Sequence, residues 1–252
     1  MRGAKTPQVA EIGKQHHVGE PMQRIQVYIA TGASLATMSG QLTTADEHAR
    51  ASQFQRRERA RQFLDGRTLL RLALADALGR PARACVCPTQ GSPRLEHDPS
   101  VTMSISHSAD WVACAVSVGT PCGVDIQTHQ PRSCLDIART FFSADEHAQL
   151  VALDEPERGV MFWRLWTLKE AWCKATGADL FAALGKILPV PEHPAVESAS
   201  AWSFQPADNV TLSAVLLARR AHLTTHTWSG RGFVPTGPAQ PFPCLAGEHA
   251  CN

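Results

Sequence analysis

The chain repeats itself once, and this repeat constrains its fold more than any other feature of the sequence. Three kinds of segment recur in the same order at offsets of 97–99 residues: a β-rich run, an ADEHA motif and a long amphipathic stretch that ends in glycine. The pairs are VYIAT at 27–31 with VDIQT at 124–128, TADEHA at 44–49 with SADEHA at 143–148, and TLLRLALADALG ending at Gly79 with TLKEAWCKATG ending at Gly177. Three ordered matches at nearly one offset predict two related halves.

Both halves carry the same helix start and stop signals. Thr44 with Glu47, and Ser143 with Glu146, have the spacing of a capping box, in which a hydroxyl and a carboxylate satisfy the first unpaired N–H groups of a helix. The glycine that ends each long stretch fits the left-handed position that follows a helix. Each half is therefore expected to contain a capped helix followed by a longer one.

Alternating or β-rich runs predict strands at 25–30, 101–105, 111–118, 123–127, 201–204, 211–217 and 224–228. With the helices, these strands indicate an α+β fold of two similar halves related by pseudo-two-fold symmetry, each with antiparallel strands covered by helices. The halves are placed at 23–120 and 121–228, between a flexible extension at 1–22 and a disordered tail at 229–252. The interface between two such halves is a common place for a ligand site.

Bulk composition argues against several classes of protein. The 252 residues are 44% hydrophobic and carry a formal net charge of +1, unlike a strongly basic nucleic-acid binder or an acidic tail protein. The first 21 residues lack the apolar stretch of a signal peptide, and no window reaches the roughly 20 apolar residues of a membrane span. We therefore expect a cytoplasmic protein without membrane association.

The eight cysteines are spread through the chain without a CxxC pair, so a zinc site is not expected. Cys114 and Cys122 lie in or beside apolar runs and are interpreted as buried thiols. A secreted disulfide framework would be smaller and denser in cysteine than this chain.

The two halves differ at the β-rich run of the repeat. Where the first half has Tyr28 and Ala30, the second has Asp125 and Gln127. Residues two apart on a strand point to the same face, so Asp125 and Gln127 present two oxygen-bearing groups side by side. A strand-end aspartate that caps a turn is the structural alternative, and the spacing leaves both interpretations open.

The helix predicted at 162–177 carries a second acidic residue. Glu170 and Lys174 are one turn apart, on a stripe that begins at Trp166. One interpretation is a surface ion pair worth a few tenths of a kcal/mol. The other is that Glu170 completes an oxygen-rich cation site with Asp125. Two carboxylates and an amide oxygen suit Mg²⁺, which takes its remaining ligands from water and phosphate.

Ser106, His107 and Ser108 follow a β-like run and precede Trp111. Two hydroxyls around a histidine at a strand end are suited to hold a phosphate, although a single histidine is more often structural. A Ser-His-Asp hydrolase is a weaker alternative, because adjacent residues of a strand point apart and the chain has no GxSxG motif.

The segment 50–83 is strongly basic and contains nine arginines. Such charge runs are usually solvated faces, but the planar guanidinium group also matches phosphate geometry well. Arg56 and Arg59 are one helical turn apart, and Arg67 is expected at the start of the next helix. A nucleic-acid binder would interleave stacking aromatic residues here, yet the segment contains only two phenylalanines.

In combination, these motifs resemble those of the 4′-phosphopantetheinyl transferases. The matching segments are SISHS at 104–108, GVDIQ at 123–127, FFSADE at 141–146 and WTLKEAWCKATG at 166–177. The sequence is most similar to the large, pseudo-dimeric, surfactin-synthetase-activating type, which activates peptide and polyketide synthetases. The resemblance covers roughly residues 24–228, and the spacing between GVDI and WxxKEAxxKxxG makes it specific.

The resemblance implies a reaction and its partners. Coenzyme A would bind between the halves with Mg²⁺ on its pyrophosphate, and a serine hydroxyl of an apo acyl or peptidyl carrier protein would attack the β-phosphorus. Phosphopantetheine would be transferred to that serine, and 3′,5′-ADP would leave. A monomer is expected, because one chain would supply both halves of the site.

The resemblance also implies roles for the candidate residues. Asp125 and Glu170 would be metal ligands, and Glu170 or a metal-bound water would help to deprotonate the attacking serine. Lys174 would stabilise or protonate the leaving phosphate, which makes Asp125, Glu170 and Lys174 the implied catalytic set. The implied contacts to the coenzyme A phosphates are Lys169, Lys174, Ser106, His107, Arg56, Arg59 and Arg67.

Two positions depart from the family pattern. The family usually has Glu where this chain has Gln127, so we expect two carboxylates, with Gln127 as a neutral ligand or as the holder of a metal-bound water. The loop that often reads Gly-Lys-Pro is Gly91-Ser92-Pro93 here, which removes one phosphate-contacting lysine and leaves Arg94 as the candidate replacement. Neither departure removes the catalytic set, so an active enzyme is expected.

Two other functions share part of this chemistry. A non-catalytic module that binds coenzyme A or carrier proteins would not need both carboxylates and Lys174, all of which are present. A magnesium-dependent phosphohydrolase would use the same metal site but would release free phosphopantetheine. The sequence leaves open both the docking surface and the pathway of the natural carrier protein.

Overall fold

The structure, a computed structural model, describes residues 22–131, 133–180 and 199–236. The first half contains β1 (Gln23–Thr31), α1 (Gly32–Leu42), α2 (Ala45–Ala51), α3 (Arg57–Leu78), β2 (Val101–Ser108) and β3 (Trp111–Val118). The second contains β4 (Cys122–Thr128), α4 (Cys134–Phe141), α5 (Ala144–Val151), α6 (Glu157–Thr176), β5 (Ser200–Ala207) and β6 (Val210–Leu216). Then follow β7 (Ala221–Trp228) and β8 (Phe233–Pro235). A short 3-10 helix at Ala82–Ala84 lies between α3 and β2. The predicted α+β class is confirmed, and the described α-helices and strands of the two halves follow the same order.

Local signals set the helix ends as the sequence predicts. The Thr44 hydroxyl accepts the Glu47 N–H at 3.3 Å while the Glu47 carboxylate accepts the Thr44 N–H at 2.9 Å. Ser143 and Glu146 form the same reciprocal pair at 3.2 and 2.9 Å. The glycines that end α3 and α6 have φ of 64° and 72°, the left-handed region that favours glycine.

The strands form two sheets whose central parts have the same order. In each half the first strand lies beside the third and the third beside the second, giving β2-β3-β1 and β5-β6-β4 with antiparallel pairing. β7 then pairs with β1 in parallel and carries β8, so the first sheet has five strands. The expectation of antiparallel strands in each half is therefore wrong for β7, which lies in the predicted second half but pairs in parallel with a strand of the first.

Residues 229–236 correct the predicted tail. β8 pairs with β7, and the Phe233 ring packs against the rings of Tyr28 and Trp228 at centroid distances of 4.7 and 5.1 Å. The expected disorder beyond residue 228 is therefore wrong as far as Thr236. The rest of the predicted extensions, 1–21 and 237–252, lies outside the described residues.

Close packing of α6 on β4 positions the polar residues of both elements. A Cβ atom on Gly123 would lie 1.9 Å from the Ala171 carbonyl oxygen and 2.8 Å from the Ala175 nitrogen. Only glycine therefore fits at this point of β4 without moving the helix backbone. The close approach brings Lys174 onto the strand, where its ammonium donates to the carbonyl oxygen of Val124 at 3.0 Å.

Cys114 and Cys122 are buried, as predicted. Burial raises the pKa of both thiols, to about 12 for Cys122. Neither thiol is therefore ionised at neutral pH, and both behave as small apolar side chains. Among the described residues, no helix combines the length and the apolar character that crossing a membrane requires.

Candidate active site between the two sheets

The edge strands β2 and β4 belong to different sheets and are joined by side chains. Serines at alternate positions of β2 lie on the face that meets β4. Ser104 Oγ accepts a hydrogen bond from the Val124 N–H at 3.1 Å, and Ser106 Oγ donates one to Asp125 Oδ1 at 2.6 Å. Ser108 Oγ accepts from the Thr128 N–H at 3.0 Å and donates to Gln127 Oε1 at 3.2 Å. We call this row of contacts the serine seam.

Asp125 lies at the centre of the seam and is 1% exposed. Its Oδ1 accepts hydrogen bonds from Ser106 and from the Lys174 ammonium at 2.8 Å, while Oδ2 accepts from Gln127 Nε2 at 3.3 Å. Asp125 and Gln127 thus lie side by side on one face, as their spacing predicts. The partners of Asp125 belong to β2, β4 and α6, which favours the site interpretation over a turn cap.

Glu170 and Lys174 of α6 both act on Asp125. Burial and the charge of Asp125 raise the pKa of Glu170, and Lys174 opposes this shift. The Lys174 ammonium forms its ion pair with Asp125 of β4. This pair joins the helix to the strand, in place of the surface ion pair between Glu170 and Lys174 along α6. In the second half, Asp125 and Lys174 are thus in contact, and the charges of both act on the Glu170 carboxyl.

The first half adds His107 and Arg59 to this cluster. Arg59 Nη1 lies 3.0 Å from Nε2 and 3.3 Å from Nδ1 of the His107 ring. Burial, with the charges of Arg59 and Lys174, lowers the pKa of His107 to about 4. The imidazole, near the end of β2, is therefore neutral at physiological pH, and it accepts a hydrogen bond from Arg59 of α3. We call Arg59, His107, Asp125, Glu170 and Lys174 the seam cluster.

Two predicted phosphate contacts have side chains that are buried in ion pairs. Arg67 lies in the middle of α3 and not at the start of a helix; it donates to Glu47 Oε1 at 2.5 Å and to the Cys87 carbonyl. Lys169 is fully buried, with its ammonium 2.9 Å from Glu146 Oε1. Neither group is placed to meet a ligand at the seam cluster.

The other predicted contacts lie in different surroundings. Arg56 is exposed immediately before α3, one turn ahead of Arg59. Ser106 is buried, with its hydroxyl on Asp125. Arg94 lines a cavity of about 760 Å³ whose lining, among the described residues, includes no member of the seam cluster.

The sequence-based prediction considered Ser108 beside Ser106 as a hydroxyl that could hold a phosphate, but it did not assign Ser104 to the site or pair any of these serines with β4. The available signal is the alternation in SISHS, which places all three serines on one face of a strand. What the pattern lacks is the identity of the neighbour, because β2 and β4 meet only through tertiary packing of two sheets.

Known proteins are similar to this chain in sequence. A family model for the 4′-phosphopantetheinyl transferase superfamily matches residues 121–227, and one for the N-terminal domain of these transferases matches residues 46–117. The chain is 31% identical over 175 residues to 4′-phosphopantetheinyl transferase psf-1 of Bacillus pumilus, covering 64% of this chain and 74% of the relative. It is 35% identical over 169 residues to 4′-phosphopantetheinyl transferase HetI of Nostoc, covering 64% and 71%.

A third relative is 4′-phosphopantetheinyl transferase Sfp of Bacillus subtilis, which is 33% identical over 137 residues, 54% of this chain and 60% of the relative. The chain belongs to the 4′-phosphopantetheinyl transferase superfamily. The resemblance predicted from the motifs is confirmed, and with it the transferase class of the enzyme.

Proposed function

We propose that the protein transfers the 4′-phosphopantetheine group of coenzyme A to a serine of an apo acyl or peptidyl carrier protein and releases 3′,5′-ADP. The observation that carries this proposal is the seam cluster. It combines paired carboxylates with an ammonium group on one side, and a guanidinium with a neutral imidazole on the other. Phosphoryl transfer depends mostly on positioning and charge neutralisation, and this set supplies both.

The oxygen donors of the cluster fit Mg²⁺. Asp125 and Glu170 are close enough for one charge to raise the pKa of the other carboxyl, and a cation between them would relieve that repulsion. Mg²⁺ is typically held by one or two carboxylates together with water and substrate phosphates. When bound, it would neutralise charge on the coenzyme A pyrophosphate and orient it.

Gln127 supports the expectation of a site with two carboxylates. Its Nε2 donates to Asp125 and its Oε1 accepts from Ser108, so the amide must turn over before its oxygen faces a cation. In the described residues, no group of three or more His, Cys, Asp and Glu side chains is arranged to hold a metal. We assign Gln127 as a neutral ligand or as a holder of a water on the metal, because its amide carries no charge and its oxygen already accepts from Ser108.

The residues of the chain account for the proton and charge movements of the transfer. The carrier serine Oγ forms a bond to the β-phosphorus, and the bond from that phosphorus to the bridging oxygen of 3′,5′-ADP breaks. Glu170 accepts the serine proton, because its burial favours the protonated form of the carboxyl, as a general base requires. Lys174 stabilises the negative charge on the departing phosphate.

We assign coenzyme A phosphate binding to His107 and Arg59, with Arg56 one turn away on the same exposed helix start. The neutral imidazole of His107 keeps an N–H that can donate to a phosphate oxygen. Arg59 is exposed, and its guanidinium presents donors in a planar fork that matches phosphate geometry. These assignments rest on the contact of Arg59 with His107 and on the effect of the Lys174 charge on that ring.

We also propose that the two halves are related by pseudo-two-fold symmetry, and that the enzyme acts as a cytoplasmic monomer. The shared element order and strand order support the symmetry. One chain supplies both sides of the seam cluster, which supports a monomer. The buried cysteines Cys85, Cys87, Cys114, Cys122 and Cys173 are free thiols, which is typical of a reducing compartment. The carriers we propose are those of polyketide and peptide synthesis.

The test is incubation with coenzyme A, Mg²⁺ and a panel of apo carrier proteins from fatty-acid, polyketide and peptide synthesis. Intact-protein mass spectrometry should show that a carrier gains one phosphopantetheine group, and chromatography should show equimolar 3′,5′-ADP. A carrier whose acceptor serine is replaced by alanine is the control. Release of free phosphopantetheine would identify a phosphohydrolase instead, and binding without either product would identify a non-catalytic module.

A further inference from the structure

The orientation of the Asp125 carboxylate is fixed by a residue from the other half. Ser106 donates to Asp125 Oδ1 at 2.6 Å, and the two side chains are 6% and 1% exposed. The same oxygen accepts from Lys174, whereas Oδ2 accepts only the longer contact from the Gln127 amide among the hydrogen bonds described above. Oδ1 is thus occupied by two donors, and Oδ2 is the oxygen that is presented for a cation.

We propose that Ser106 is a positioning residue that holds Asp125 for cation binding, and that it is not a ligand of the coenzyme A phosphates. This inference rests on the proposed function. A serine hydroxyl has one hydrogen to donate, and here it is given to a buried carboxylate in a short hydrogen bond of the charge-assisted kind. Donation to a phosphate would leave Asp125 without that partner in a buried site.

His107, the next residue of the SISHS motif, lies on the opposite face of β2 from Ser106. Successive side chains of a strand point to opposite faces, so His107 meets Arg59 while Ser106 meets Asp125. In the SISHS motif, His107 is therefore assigned to phosphate binding and Ser106 to positioning of the Asp125 carboxylate.

The serine seam offers a matched control for this role. Ser104 is as buried as Ser106, lies on the same strand face and also makes a contact across the seam, but its partner is the Val124 N–H and not a carboxylate. Replacing Ser104 by alanine removes a seam contact of the same kind without touching Asp125. A purely structural role of the seam would affect both variants alike.

The experiment compares Ser106→Ala and Ser104→Ala with the wild-type protein. Mn²⁺ binding without coenzyme A is measured by electron paramagnetic resonance of the free ion, and steady-state kinetics give the half-saturating Mg²⁺ and the KM for coenzyme A. Loss of a contact that orients a metal ligand typically weakens metal binding about 10–100-fold. We expect at least a tenfold loss of Mn²⁺ affinity and a matching rise in half-saturating Mg²⁺ for Ser106→Ala, with the KM for coenzyme A unchanged.

Ser106→Thr, which keeps the hydroxyl, should recover most of the Mn²⁺ affinity, and Ser106→Cys should resemble Ser106→Ala in a side chain of nearly native size. A raised KM for coenzyme A with unchanged Mn²⁺ binding in Ser106→Ala would overturn the proposal and would indicate that Ser106 binds a coenzyme A phosphate. Equal Mn²⁺ losses in Ser104→Ala, or no Mn²⁺ binding by the wild-type protein, would also overturn it. If no carrier protein is modified, the proposed function fails, but the Mn²⁺ measurement needs no turnover and still decides this inference.

Discussion

The two halves build the same elements around two different centres. In the first half, the Tyr28 hydroxyl on β1 donates to Asp76 Oδ2 near the end of α3 at 2.9 Å. In the second half, Asp125 at the equivalent position of β4 accepts from Lys174 near the end of α6 at 2.8 Å. In both halves the first strand is thus joined by a side-chain contact to the end of the long helix. The acidic residue of that contact lies on the helix in the first half and on the strand in the second.

The neighbouring positions explain why only the contact in the second half, between Asp125 and Lys174, belongs to a candidate site. Leu72 of α3 is buried in the core where α6 has Glu170, and Ala30 of β1 is buried where β4 has Gln127. The first half therefore has buried apolar side chains here, with one phenol that donates to an exposed carboxylate and whose pKa burial raises. Four side-chain differences on a common scaffold separate a packed core from an oxygen-rich cluster.

The sharpest way to test this contrast is to remove the strand residue from each centre. Asp125→Ala should lower the rate of phosphopantetheine transfer by ~100-fold or more, because it removes a carboxylate from the proposed cation site. Tyr28→Phe should leave the rate near the wild-type value while lowering the free energy of unfolding by only about 0.5–1.5 kcal/mol, because it removes one hydrogen bond and water can solvate the exposed Asp76. Mass-spectrometric transfer assays and urea titrations measure the two effects, and near-normal turnover of Asp125→Ala would refute the assignment.

The capping glutamates provide a second pair of equivalent residues. Glu47 Oε1 meets both Arg67 and Arg71, whereas Glu146 Oε1 meets Lys169. Glu47→Gln should lower the free energy of unfolding by about 3–5 kcal/mol, because it leaves two buried guanidinium groups that cannot lose a proton.

Glu146→Gln should cost less than Glu47→Gln, because a buried lysine can become neutral and burial already lowers the pKa of Lys169. Without Glu146, that pKa falls further below its unfolded value, so the stability deficit should shrink as the pH rises from 7 to 9. Urea unfolding of both variants at the two pH values gives the comparison. Equal deficits with no pH dependence would show that the two ion pairs are equivalent.

Local sequence patterns predicted the parts of the molecule that depend on near neighbours. The capping boxes, the glycines that end α3 and α6, and the pairing of Asp125 with Gln127 on one face all follow from spacing within one element. Arg67 and Lys169 could not be placed in this way. Helical spacing defines which residues share a face, but only packing shows that this face meets a buried glutamate.

The sheet pairing of β7 was out of reach for the same reason. Its composition predicts a strand, but its parallel partner β1 lies almost at the other end of the described chain. Long-range pairing of this kind is selected by the shape and hydrophobicity of a sheet that is already formed, and no local pattern encodes it.

A third variant changes the charge of the strand in the second half. Gln127→Glu removes the hydrogen bond from Nε2 to Asp125 and adds a third carboxylate to the cluster. Thermal unfolding should then show a lower Tm without Mg²⁺ but a larger rise on adding it, which corresponds to roughly tenfold tighter binding or about 1.4 kcal/mol. Gln127→Met, which removes the amide without adding charge, is the control. An unchanged Mg²⁺ dependence would place residue 127 outside the ligand set.

The smallest expected effect concerns the basic side of the site. Burial and the charges of Arg59 and Lys174 lower the pKa of His107 to about 4, below the value of about 6.5 of an unfolded chain. The unfolded state therefore binds more protons between these pH values, so this residue lowers the free energy of unfolding as the pH falls from about 6.5 to about 4. Allowing for solvent screening, the loss between pH 7 and 5 should be about 1 kcal/mol.

His107→Gln removes this contribution, so urea titrations should show a shallower decline in its stability over the same interval. Arg59→Gln should also be shallower than wild type, because without the adjacent guanidinium the pKa of His107 moves back toward its ordinary value. A decline in His107→Gln as steep as that of the wild-type protein would mean that the ring is not held neutral. The ring would then titrate near its ordinary value, and a phosphate bound beside it would favour the cationic form. The division between a basic first half and an acidic second half would then be sharper than the structure indicates.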